Sequence, residues 1–181
     1  MAATRKFTLS FHSSTKKVEM VKGLIAASQG ILIPGAPLYL SQSGTWKVCN
    51  TADGSDAWHG LLVGRVASPA TWPLTAALTA NDEIYIAKID AAHIYSVYVE
   101  ASGTDAVAAQ TDVGDQLGLT VSATSGEVGL TTLDTGNANV VVKVVDIASN
   151  KDTTERKSTT SDNPGVAYVQ FIQSIIDSAK A

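Results

Sequence analysis

The sequence predicts an all-β protein, a compact sandwich or small barrel with an extended N-terminal arm and a short C-terminal helix. Three observations carry this. Apolar runs of strand length recur about every ten positions, glycine-bearing turns separate them, and almost no stretch repeats its apolar residues with helical spacing.

Taken in order, Phe7-Thr8-Leu9-Ser10-Phe11-His12 alternates with period two, which puts Phe7, Leu9 and Phe11 on one face of a strand. Residues 18–27 read as an amphipathic turn or a short strand. Residues 38–49 read as a hairpin whose polar turn carries Gly44. Residues 60–67 form an interior strand, and Gly64 inside it signals a bulge or a close backbone approach. The turn residues Asn81 and Asp82 introduce a strand at 83–89, and the Tyr- and Val-rich stretch 94–99 is another. Residues 117–121 and 127–133 flank a Ser125-Gly126 turn, and 140–147 is the clearest strand of all. Residues 150–163 contain no apolar side chain and read as an exposed loop, followed by a strand at 166–172 and a short helix within 174–180. No repeat of fixed period stands out.

Charge is distributed unevenly. Residues 1–22 carry Arg5, Lys6, Lys16, Lys17 and Lys22 against Glu19 alone, a balance of +4, whereas residues 23–181 hold 8 basic and 16 acidic side chains, a balance of −8. The expected organisation is therefore a basic arm at 1–22 and a single β-rich domain at 23–181. Such arms commonly engage a partner. Hydrophobic residues make up 45% of the chain and charged residues 17%, the latter below the ~25% of typical soluble domains. Small polar and β-branched residues cover the surface instead, a composition common in extracellular and virion β-proteins.

The chemistry-bearing residues are few. Cys49 is the only cysteine, so no intramolecular disulfide forms, and its place after Val48 suits a small buried hydrophobe. His12, His59 and His93 have no metal-ligand spacing, and Asp105, Asp112 and Asp115 lack the pattern of a calcium loop. No phosphate-binding glycine loop or nucleophile elbow occurs. The expectation is a non-enzyme with no cofactor and no metal. An acidic body and a pI near 5.2 argue against a nucleic-acid partner. No run approaches a membrane span, and no signal peptide is legible at the N-terminus. Trp46, Trp58 and Trp72 lie in or beside turns, where they serve either as core or interface plugs or as sugar-stacking platforms.

Several ordered segments carry a resemblance: Gly23-Leu24, Ile31-Leu32-Ile33-Pro34-Gly35-Ala36-Pro37-Leu38-Tyr39-Leu40, Gly44-Thr45-Trp46-Lys47, Ala52-Asp53-Gly54, Gly60-Leu61-Leu62-Val63-Gly64, Asp82-Glu83-Ile84-Tyr85-Ile86 and Asp112-Val113-Gly114. Their order resembles the decoration proteins of tailed-bacteriophage heads, also called cement or auxiliary capsid proteins. The resemblance implies a structural protein made in the host cytoplasm. It would bind the outside of an expanded capsid, often as a trimer, and clamp neighbouring major capsid subunits. Phe7, Leu9 and Phe11 would then add as a strand to the sheet edge of a capsid protein or of a neighbouring copy, with Arg5, Lys6, Lys16 and Lys17 pairing to acids there. The alternative is a carbohydrate-binding sandwich of a phage fibre or tail using the tryptophans, or a tail or head-completion component.

Overall fold

The alternating and β-branched runs fold as strands. In the computed structural model, the described residues are 9–29, 32–49, 58–66, 78, 80–101, 104–105, 110–121, 128–131, 140–148 and 165–177. In chain order the strands are β1 (Ser10–Ser14), β2 (Met20–Leu24), β3 (Pro37–Leu40), β4 (Trp46–Val48), β5 (Gly60–Arg65), β6 (Glu83–Lys88), β7 (His93–Ala101), β8 (Thr104–Asp105), β9 (Gln116–Val121), β10 (Val128–Thr131), β11 (Val140–Ile147) and β12 (Val166–Phe171). A short helix α1 (Gln173–Asp177) follows.

These strands make two sheets packed as a β-sandwich. One runs β2-β6-β5-β3-β4; the other runs β1-β7-β10-β9-β11-β12, with β8 also on β7. Side-chain periodicity places the core. In β6, Ile84 and Ile86 are buried while Glu83 and Lys88 face water. Nearly every residue of β12 is buried, so both of its faces are covered. One core cluster draws on both sheets, joining Leu38, Leu62 and Ile86 to Val97, Leu119 and Val144. A smaller cluster of Ala148, Val166 and Tyr168, with Ile94, Tyr98 and Val145 against it, lies on the other face of β12.

The two sheets are built to one plan. In the first, β2 pairs β6, β6 pairs β5, β5 pairs β3 and β3 pairs β4, all antiparallel, and a parallel bridge between Ile25 and Trp46 returns the ladder to its start. In the second, β7, β12, β11, β9 and β10 follow each other in the same order, again antiparallel, and a parallel pairing of Leu130 with Val99 closes the ladder. A ring with an odd number of strands cannot alternate direction all the way round, so each ring needs one parallel contact.

The registers agree residue by residue. Leu38 faces Gly60 in the first unit as Leu117 faces Val142 in the second. The bulge between Leu62 and Gly64 has its counterpart between Val144 and Asp146. Outside the strands, the Gly35 N–H donates to the Leu62 carbonyl at 2.9 Å, and the Gly114 N–H to the Val144 carbonyl at 2.9 Å. Likewise the Ile25 N–H donates to Asp82 at 3.0 Å, and the Val99 N–H to Gly165 at 3.0 Å. The chain therefore contains the same β-unit twice, which the sequence reading missed. Its sequence trace is thin: Gly35, Leu38, Leu40, Val63 and Tyr85 in one copy, Gly114, Leu117, Leu119, Val145 and Tyr168 in the other.

β1 belongs to neither ring. It adds antiparallel to β7, with Ser10 opposite Ser96, Phe11 opposite Tyr95 and Ser13 opposite Ile94. The expected boundary between arm and body thus shifts: residues 10–14 and 20–24 are strands of the body, and the N-terminal residues 1–8 lie outside the described residues. So does the expected loop at 150–163.

Candidate functional site

β1 carries the residues singled out for partner binding, and its seat on β7 decides what each can do. Leu9 is 2% exposed and joins the core. Its backbone also lies against Gly35 of the first unit, so close that a Cβ there would meet the Leu9 carbonyl. Leu9 is therefore an anchor inside this chain, which corrects the expectation that it inserts into a partner. Phe11 is 48% exposed and stands edge-on to His93 at 5.6 Å and to Tyr95 at 6.3 Å. It caps the rim of its own sheet while keeping half its surface in water. Arg5, Lys6 and Phe7 lie outside the described residues.

The cations after β1 divide. Lys16 pairs with Asp90 in the turn before β7, Nζ to Oδ2 at 3.1 Å, so it is engaged within the chain. The Asp90 carboxylate also accepts the Ala92 N–H at 2.8 Å. That amide first, and Lys16 second, hold Asp90 below the usual carboxylate range. Lys17 is exposed beside the start of β2.

Beneath Phe11 sits a small polar group. His93 is buried and its Nδ1 lies 3.1 Å from the Tyr95 hydroxyl, while its buried Nε2 has no hydrogen-bond partner among the described residues. Burial pushes the Tyr95 phenol well above its ordinary value, a backbone hydrogen bond at Asp90 opposing this only in part. Tyr95 continues through Phe171 to Trp58, with ring centroids 5.3 Å and 5.5 Å apart, which ties the second unit to the first.

On the other side of β1, His12 lies over the Tyr168 ring, centroids 4.2 Å apart. Together with Ser13, Ile94, Val145, Asp146 and Ile147 they line an open cleft of about 280 Å³. Its floor is the apolar outer face of β7, β11 and β12.

The tryptophans resolve differently from the sugar-platform alternative. Trp46 is 7% exposed and Trp58 is 3% exposed, both within the core cluster. Gly23 leaves the room Trp46 needs, since a Cβ there would meet the indole Nε1 and Cδ1. Neither ring offers a face to a glycan; Trp72 lies outside the described residues. Cys49 is buried as a small hydrophobe. Among the described residues no three His, Cys, Asp or Glu side chains gather as a metal site, and no helix is long and apolar enough to cross a membrane.

What the sequence did not single out is the extra strand's receiving edge, made by Ile94 and Ser96, and the rim aromatics His93 and Tyr95. Only pairing register reveals them. No protein-family model matches the chain, and no curated protein resembles it significantly.

Proposed function

We propose that this chain is a structural protein of a tailed-phage virion, a decoration protein that sits on the outer surface of an expanded head and clamps neighbouring major capsid subunits, acting as a homotrimer. The supporting observation is β1 itself, a strand outside the duplicated rings that holds to a sheet by edge addition and is preceded by a basic, alternating segment. Edge addition is a general way for one polypeptide to grip another. Because Leu9 is anchored at home and Lys16 is paired to Asp90, the reach to capsid falls to Arg5, Lys6 and Phe7, with Phe11 and Lys17 at the base. Three arms on one trimer multiply individually weak contacts through avidity.

Deleting residues 2–8 leaves β1 whole and tests the reading. The shortened protein is expected to stay folded and to lose co-sedimentation with purified expanded heads. Undiminished binding would remove the arm from the mechanism. Decorated heads are further expected to rupture at a higher temperature than bare ones.

A further inference from the structure

The duplication exposes an asymmetry. In the second unit, β7 presents Ile94 and Ser96 outward and β1 covers them. In the first unit, β2 takes the place of β7, and among the described residues no strand takes the place of β1.

The hydrogen-bond pattern shows which groups are left open. The Lys88 N–H donates to the Glu19 carbonyl at 2.8 Å, and the Ile25 N–H donates to Asp82 at 3.0 Å. With the register of β2 on β6, this turns the backbone of Glu19, Val21 and Gly23 toward β6 and that of Met20 and Lys22 away from it. Met20 and Lys22 are the counterparts of Ile94 and Ser96. Among the described residues no backbone group pairs with them on that side.

The side chains tell the same story. The cleft under His12 is floored by Ile94, Val145 and Tyr168. Their counterparts in the first unit are Met20, Val63 and Tyr85, by the shared register and bulge. Met20 is 48% exposed and Val63 38%. Where His12 lies on Tyr168, Tyr85 instead has Lys22 Nζ at 5.4 Å from its ring centre. An open cleft of about 450 Å³ lined by Lys17, Val18, Glu19 and Met20 borders the same edge.

We infer that the open edge of β2 at Met20 and Lys22 is a docking site for an extended, acidic segment of a partner polypeptide, added antiparallel as β1 adds to β7, with an aromatic side chain laid over Tyr85, Met20 and Val63. The acidic character follows from the neighbouring charges. Glu19 is occupied by Lys88 at 2.9 Å, which among the described residues leaves Lys17 and Lys22 as the cations beside this edge. For the same reason the basic N-terminal segment of a second copy is a poor occupant. Backbone pairing supplies attachment, and the apolar face with the two lysines supplies selection. The edge would take such a segment from any partner, capsid subunit or not.

The test uses the full chain, labelled with ¹⁵N, and the heptapeptide acetyl-Thr-Asp-Thr-Phe-Thr-Asp-Thr-amide, with a Lys-for-Asp peptide as comparison. The expected result is a saturable shift of the Met20 and Lys22 amide signals, with the basic peptide binding about fivefold or more weakly, as two exposed charge pairs allow. Lys22→Pro, which removes the residue 22 amide, should abolish the peptide-induced shift of the remaining Met20 amide, because the lost N–H points away from β6 and the ring leaves the native ladder intact. Lys22→Glu, which keeps the backbone donor, should narrow or reverse the preference between the two peptides. Amides of Met20 and Lys22 that stay still at saturating peptide would overturn the inference. Equal binding of both peptides would overturn its acidic part.

Discussion

Two glycines in equivalent places make the sharpest comparison at the scale of single residues. Gly35 and Gly114 both hold positive φ, +82° and +101°, where an L side chain costs about 1–2 kcal/mol. Around Gly114 there is open space, whereas a Cβ at Gly35 would strike the Leu9 backbone. Gly114→Ala is therefore expected to cost about 1–2 kcal/mol and Gly35→Ala at least about 1 kcal/mol more, read from urea midpoints. Equal losses would mean that Leu9 is free to move aside. Tyr95 gives a pH signature. Its phenol is raised in the folded protein, so the neutral form is favoured there; its contribution is whole below about pH 10 and shrinks as pH climbs past the unfolded value. Thermal melts should show this alkaline loss, and Tyr95→Phe should flatten it. At this scale the sequence was a partial guide. Cys49 reads as buried from its apolar neighbours, but the burial of Trp46 and Trp58 depends on Gly23 and Phe171, which are distant in sequence.

Individual strands were far more legible, because alternation and β-branching are local. The hairpin of β3 and β4, the bulged strand β5, and β6, β7, β11 and β12 all fall where the pattern puts them. The first strand starts later than expected, at Ser10, and Leu9 just before it is buried in the core. What local pattern does not encode is which strand lies beside which. The parallel closures at Trp46 and Leu130, and the seat of β1 on β7, are long-range choices made by packing. They lead to a prediction about β1: removing residues 2–14 strips an antiparallel ladder and the Leu9 anchor, a loss of about 3 kcal/mol or more. Deleting only 2–8 should leave the denaturation midpoint nearly unchanged. Matching midpoints for the two truncations would show that β1 adds no stability.

For the molecule as a whole, the two β-units share one core. Trp58 of the first touches Phe171 of the second, and β1 spans both by pairing with β7 while resting on Gly35. Unfolding is expected to be a single cooperative transition by circular dichroism and by tryptophan fluorescence. Trp58→Ala, which opens the joint between the units, should cost about 3–5 kcal/mol without splitting that transition; two resolved steps would mean the units fold independently. The all-β class was readable from composition and spacing, and so was the uneven charge. The doubling was hidden because each copy keeps the same backbone plan with mostly different side chains, sharing a glycine, two leucines, a valine and a tyrosine at the equivalent positions compared.

Internal repetition normally doubles the valence of a protein, one receptor per copy of the unit. Here the chain covers one such edge with its own strand β1, while among the described residues none lies on the twin edge of β2, so each polypeptide would offer a single socket. Any oligomer built from it would engage as many guest strands as it has chains, and its binding stoichiometry would count subunits rather than β-units.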